Sequence, residues 1–293
     1  MLTEEDKRLR QTGVGGSDLA TILGLNPYQT AWELYYEKIG VMPDDGEDSL
    51  AQRMGHRLED PIAREYAQEF QVRLRRRNQT VRHPKYDWLL ANIDRERVKE
   101  KRGVEIKNVG WPMVDRWGPS GTDQVAEHYL PQPLHYMLVL DYPRWDVAAY
   151  LAGTEIRYYH LERDPEWDEI IIQTTHDFWH HHVLVQKPPE PDFSKEPNRE
   201  ALKRLYPGTN GETVELPPEA VHWDRVYQES RELAKRYDNA AQAAQAHILE
   251  LIGEASRGVF PDGSGWERKK VSRKGYTVDA AEYVQANRKK ELK

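Results

Sequence analysis

The chain contains no cysteine, only 4 phenylalanines and 5 methionines, and no apolar run longer than about half a dozen residues. The missing cysteines exclude disulfides, thiolate zinc sites, iron–sulfur ligation and thiol catalysis together. Any metal must therefore sit on oxygen or imidazole. Nothing approaches the roughly 20 apolar residues that cross a bilayer, and the start MLTEEDKRLR lacks the apolar centre of a secretory leader. A soluble, unexported, cytoplasmic protein is expected. What the chain does have is aromatic surface: 9 Trp and 16 Tyr in 293 residues support a packed core despite a mean hydropathy of -0.87. That length suits one large domain, or a core domain with an appendage.

The net charge of -7 hides an asymmetry. Residues 71–107 hold 12 Lys+Arg against 5 Asp+Glu, and residues 264–293 hold 9 against 4, so the remaining 226 residues carry -19. Basic islands in an acidic protein fit a confined polyanion site, and on charge alone they fit solvated hairpins or tails equally well.

Local signals outline the elements. Ser17 is placed to cap a short helix that Gly24 ends, and Thr30 with Glu33 reads as a capping box for a helix through Ile39, stopped by Gly40. Met54, Leu58, Ile62, Tyr66 and Phe70 recur every four residues, which predicts a helix over 49–70. Glu59 lies beside that stripe, and Gly55 on the same face would allow another group to approach closely. Strands are predicted from Trp88 to Asp94 and from Val104 to Lys107, joined by the basic turn RERVKEKRG. A second hairpin pairs Trp145–Leu151 with Ile156–His160, and Pro131–Leu140 reads as a buried helix before it. Asp164-Pro165 opens a helix towards His182, with Trp167, Ile171, Thr174 and Phe178 inward.

The order of these elements predicts an α/β core over 1–186. A Pro-rich linker follows over 187–216, beginning with KPPEPD, and then a long helix and basic tail over 217–293. Val226, Leu233, Tyr237, Ala240, Ala244, Ile248 and Leu251 form a narrow seam on that helix, which needs a covering surface. Gly265-Trp266 and RKKVSRKGYTV suggest a small hairpin beyond it.

Chemistry concentrates at Asp94 and at Glu105-Ile106-Lys107. Side chains alternate along a strand, so Glu105 and Lys107 share one face while Val104 and Ile106 take the other. Asp94 at the end of a neighbouring strand would complete a pocket of two carboxylates and an amine. Hard oxygen ligands suit Mg²⁺ or Mn²⁺, and Glu59 would add a third carboxylate and permit a second ion, as phosphodiester cleavage uses. The same spacing also fits a solvated strand face.

The wider pattern narrows the choice. GVGGSDLATILGLNPYQTAWELYYEKIG, GHRLEDPIAREY, ANID, VEIK and EHYLPQPLHYM follow one another in order. In these blocks the chain resembles the YqaJ-type viral recombinase family, grouped with the lambda-type exonucleases in the PD-(D/E)XK nuclease superfamily. The resemblance covers about residues 8–186. It implies a mixed central sheet flanked by helices, with a C-terminal helical extension. It also implies a metal-dependent DNA exonuclease of phage recombination that resects double-stranded DNA from the 5′ end and leaves a 3′ strand for an annealing protein. Asp94 and Glu105 would be metal ligands with the Ile106 carbonyl and Glu59, for two Mg²⁺ or Mn²⁺ ions. Lys107 would orient the nucleophilic water. Gln132 and Tyr136 match the family's QxxxY motif, and Arg10 and Ser17 match the pair that holds a terminal 5′-phosphate. Relatives imply a homo-oligomeric ring such as a trimer. The chain departs from many relatives at Pro133 and Leu134, and proline there requires the helix to start no earlier than about Leu130.

Other residues read more plainly. His180, His181 and His182 are consecutive, so on a helix they point apart and no metal site is expected of them. GVGG is not followed by GK[ST] and is no phosphate loop. Most of the tryptophans read as core, while Trp111 and Trp117, in the loop after the ExK strand, could stack on bases or on a strand end. A single-strand or RecB/Cas4-like nuclease, or a non-catalytic DNA-end-binding protein, are the alternatives on the same fold.

Overall fold

A computed structural model describes residues 8–43, 49–77 and 79–272. The chain divides into two compact units, Met1–Pro207 and Gly208–Lys293. In the first, helix α1 (Gly16–Ile22) is capped by Gly15, whose amide donates to Asp18 Oδ2 at 2.7 Å. Ser17 therefore lies inside the first turn and is not the cap, because the acidic side chain one residue on takes the capping bond. Helix α2 (Ala31–Lys38) has the expected Thr30 cap on the Glu33 amide, but the Glu33 carboxylate is buried against Arg204 and the box is only half closed. Gly24 and Gly40 follow these helices with φ near +73° and +72°, the left-handed region that favours glycine.

Helix α3 (Leu50–Glu69) opens on a Ser49–Gln52 capping box, and its stripe is buried at Ile62 and Tyr66. Pro61 inside the helix removes a backbone donor one turn after Arg57, which loosens the turn that carries Glu59.

The sheet is five-stranded in the order β1-β4-β5-β6-β7. Its strands are β1 (Leu74–Arg75), β4 (Arg95–Arg97), β5 (Arg102–Val109), β6 (Arg144–Leu151) and β7 (Glu155–Glu162). Strands β2 (Val81–Arg82) and β3 (Leu90–Ala91) form a separate pair. Only β5 and β6 are parallel, and helix α4 (Pro131–Leu140) makes their crossover with Leu130 as its cap. Val104, Ile106 and Ala148 pack against Ile62, Ala63 and Tyr66 of α3 on one face. Trp145, Val147, Ala149 and Leu151 join the larger core on the other.

The predicted strand over 88–94 is corrected. The apolar run contributes only β3, and the polar triplet Arg95-Glu96-Arg97, expected as a turn, is the strand that pairs with β5. Its side chains are buried because each finds a charged partner: Arg95 with Asp60, Glu96 with Arg75, Arg97 with Asp146.

Helix α5 (Pro165–Phe178) opens on Asp164 as expected, but Thr175, not Thr174, is the buried threonine, and Trp179–Val183 widen into a π turn. Residues 187–216 are not all linker. Helix α6 (Glu196–Leu205) lies within them and meets α2 through Asn198–Thr30 and Arg204–Glu33.

In the second unit, helix α7 (Glu219–Ile252) has no buried residue, and Leu233 and Tyr237 of its seam are exposed. The hairpin joins β8 (Arg257–Val259) to β9 (Gly265–Glu267). The basic stretch from Arg273 onward lies outside the described residues.

His135 of α4 is wholly buried, its Nε2 2.9 Å from the Leu90 carbonyl. Burial pushes its imidazole down to about 4, outweighing the help of that carbonyl. Below about pH 6.5 the unfolded chain takes up this proton before the folded one does, so stability falls as pH drops towards 4. The contribution is at most about 3 kcal/mol. His135→Gln should flatten the fall in urea midpoint between pH 6.5 and 4 relative to the parent. An unchanged slope would assign the acid lability to other groups.

Candidate active site

Strand β4 pairs with β5 only at Arg95↔Val104 and Glu96↔Gly103. One more step of that ladder would set Asp94 opposite Glu105. Pairing stops there instead, and the amide of Ile106 donates to Asp94 Oδ2 at 3.0 Å. Within a strand, the N–H and C=O of one residue point to the same edge, so the Ile106 carbonyl also lies on the Asp94 side.

Glu105 and Lys107 project together from the other side of β5 to Val104 and Ile106. The Lys107 ammonium donates to Glu105 Oε1 at 2.7 Å and to Gln132 Oε1 at 2.9 Å, and the Tyr129 ring centroid is 5.0 Å from it. Glu105 is 2% exposed, and its Oε2 is buried with no hydrogen-bond partner. Burial and then the Asp94 charge push the Glu105 carboxyl up to about 8 despite the lysine beside it. Burial likewise raises Asp94. For Lys107 burial opposes the charge, but Glu105 and Asp94 outweigh it and hold the ammonium above its ordinary range.

Glu59 reaches this site from α3. Its charge acts on both Asp94 and Glu105, while its Oε1 sits 3.1 Å from His56 Nδ1. The donor atoms of these three carboxylates are not all within 4.8 Å of one another; among the described residues that spacing is met at His176, Asp177 and His181. An unpartnered, buried Glu105 Oε2 next to a second carboxylate and a carbonyl edge is the donor set that a hard divalent ion fits.

On α4, Gln132 and Tyr136 are one turn apart, and Gln132 Nε2 donates to the Tyr136 hydroxyl at 3.1 Å. Pro133 does not displace Gln132, because it lies in the first turn. Tyr136 then lines a small cleft with Arg10, Gly16, Ser17, Thr80 and Asn92. Lys38 donates to the Arg10 carbonyl at 2.9 Å and to Asp18 Oδ2, offsetting the negative charge beside the cleft.

Asp94, Glu105, Lys107 and Glu59 thus fall in one place and Arg10 and Ser17 in an adjoining one, joined by Gln132 and Tyr136. Trp117 is not free to stack on bases: it is buried against Tyr129 and Tyr159, while Trp111 is 76% exposed. Tyr129 escaped the sequence reading although it stands in the same EHYLPQPLHYM block, because nothing local shows that an aromatic ring will face a lysine 22 positions earlier.

A mixed sheet flanked by helices, with an acidic pair where β4 leaves β5, is the PD-(D/E)XK nuclease fold of the lambda-exonuclease type. The alkaline exonuclease LHK-Exo of Laribacter hongkongensis superposes with a TM-score of 0.50 at 18% identity, over 69% of this chain and 99% of that one. LHK-Exo in complex with dAMP superposes equally well, over 97% of its length. Residues 7–143 match the YqaJ-like viral recombinase domain. The YqaJ protein of Bacillus subtilis (strain 168) is 32% identical over 221 residues, which is 75% of this chain and 68% of the relative. The chain belongs to the YqaJ-like viral recombinase family.

Two glycines near the site differ in what surrounds them. A Cβ on Gly16 would fall 2.5 Å from the Tyr136 ring, whereas one on Gly55 would meet nothing within 4 Å. The close approach expected at Gly55 is therefore absent within the described chain, and Gly16 is where it occurs. Gly16→Ala should cost about 1–3 kcal/mol by overpacking. Gly55→Ala, inside a helix, should add about 0.5–1 kcal/mol. Urea denaturation of both variants checks the pair, and a neutral Gly16→Ala would mean that Tyr136 is free to move.

Proposed function

We propose that this protein is a metal-dependent DNA exonuclease of phage-type recombination. It degrades one strand of double-stranded DNA from the 5′ end and leaves a 3′ single strand for an annealing partner. The observation that carries the reading is the buried Glu105–Lys107 pair with Asp94 beside it and Glu105 Oε2 unpartnered. Family membership and the exonuclease fold support a nuclease of this class. Polarity, duplex preference, the annealing partner and a ring-shaped homo-oligomer rest on the resemblance noted above.

Asp94, Glu105, the Ile106 carbonyl and Glu59 would hold Mg²⁺ or Mn²⁺, in one or two positions; Glu59 would turn from His56 to do so. Such an ion, when bound, supplies Lewis acidity at the scissile phosphate and lowers the pKa of water. The chain's own groups do the rest. Lys107 remains an ammonium, so it acts as a fixed positive charge that orients a water and stabilises negative charge developing on it, not as the base. Gln132 holds that ammonium in place from the far side, and Tyr129 covers it. Arg10 and Ser17 in the adjoining cleft would receive the terminal 5′-phosphate, with the guanidinium making the charge-assisted contact.

Two measurements test this. Lys107→Ala should retain the fold and lower the rate of DNA degradation by about two orders of magnitude or more. A variant that degrades DNA at the parental rate with Mg²⁺ would remove Lys107 from the mechanism. On matched duplexes with 5′-phosphate or 5′-hydroxyl ends, Arg10→Ala should abolish the parental preference for phosphate. Persistence of the full preference would place end recognition elsewhere.

A further inference from the structure

Helix α5 passes into the π turn at Trp179, where the Leu184 amide donates to the Trp179 carbonyl five residues back at 2.9 Å. In a regular α-helix, residues five apart point roughly 140° away from each other. His181 stands four residues after Asp177, on the same helical face, and the wider turn brings it towards His176 as well, so that the three side chains have their donor atoms within 4.8 Å of one another. His176 Nδ1 and His181 Nδ1 each lie 3.5 Å from the same oxygen, Asp177 Oδ1. Tetrahedral ligands bound at about 2.1 Å stand roughly 3.4 Å apart. The group is also held in place: Gln173 Nε2 donates to both Asp177 oxygens at 3.0 Å, and His180 stacks on His176 with ring centroids 4.2 Å apart. Outer contacts of this kind orient metal ligands.

We propose that His176, Asp177 and His181 form a binding site for a first-row transition ion of the zinc class, built on other elements than the Asp94–Glu105 centre. Two imidazoles and one carboxylate suit Zn²⁺, Co²⁺ or Ni²⁺ and discriminate against Mg²⁺, which prefers an all-oxygen shell. Three protein ligands leave at least one position to water. The expected role is structural. Trp88 donates from its indole to Thr175 Oγ1 at 3.1 Å and meets the edges of His176 and His180, while its carbonyl accepts from Val14 at 2.6 Å. An ion here fastens the end of α5 beside the segment that leads into the Arg10–Ser17 cleft.

The test uses the full chain carrying Asp94→Asn and Glu105→Gln, which weakens competition from the carboxylate centre. Titrated with Co²⁺, it should take up one ion per chain with visible absorption bands, and Zn²⁺ should displace the Co²⁺ and raise Tm. Adding His181→Ala, at a side chain 66% exposed, should weaken Co²⁺ binding by at least about 10-fold without lowering the metal-free Tm. Asp177→Asn repeats the test with a side chain of the same shape. No Co²⁺ uptake by the parent of this series, or full affinity in either folded ligand variant, overturns the proposal. The outcome is independent of whether the protein degrades DNA.

Discussion

Two carboxylates, Asp94 and Glu105, are drawn out of water at the point where β4 and β5 stop pairing, with the one ammonium of Lys107 between Glu105 and Gln132. Burying like charges is costly, and a single lysine does not neutralise both. The surrounding structure is arranged around that tension. The Ile106 amide, freed from the ladder, bonds Asp94; Gln132 reaches from α4 to hold the lysine; and Glu105 Oε2 is left without a hydrogen-bond partner. The same features that make the region unfavourable for stability make it suitable for holding a divalent ion.

The opposite face of the same strands shows the contrary balance. Asp146, 1% exposed, is surrounded by Arg97, Arg102, His160 and the hydroxyl of Tyr66. There one carboxylate has more partners than it needs, and α3 is anchored to the sheet through Tyr66. An over-satisfied face behind an under-satisfied one holds β5 against α3. Gln132 and Tyr136 carry the connection further, because Tyr136 packs on Gly16 and lines the Arg10–Ser17 cleft. Tyr136 thereby links the Glu105–Lys107 pair, through Gln132, to the Arg10–Ser17 cleft.

Much of this was legible in the chain. The alternation of Glu105 and Lys107 against Val104 and Ile106, the four-residue stripe of α3, the opening of α5 at Asp164-Pro165 and the start of α4 at Leu130 all depend on neighbouring residues alone. Strand β4 was not legible. Arg95-Glu96-Arg97 reads as a polar turn until Asp60, Arg75 and Asp146 arrive from distant positions to pair with it. Helix α6 inside the proline-rich stretch was hidden in the same way, since Asn198 and Arg204 become meaningful only against Thr30 and Glu33.

The sequence by itself determined the residue types, their faces and their order: which carboxylates share a strand side with a lysine, which helix begins where, and which ordered blocks mark the family. Those properties follow from backbone periodicity and capping, which act over a few residues. Only the tertiary structure decided which charges meet. It ended the β4–β5 ladder one residue before Asp94, buried Trp117 while leaving Trp111 exposed, set Tyr129 over Lys107, and widened the turn at Trp179 so that His181 returns to His176. Burial and pairing are properties of partners far apart in the chain, and their energies depend on the medium that those partners together create.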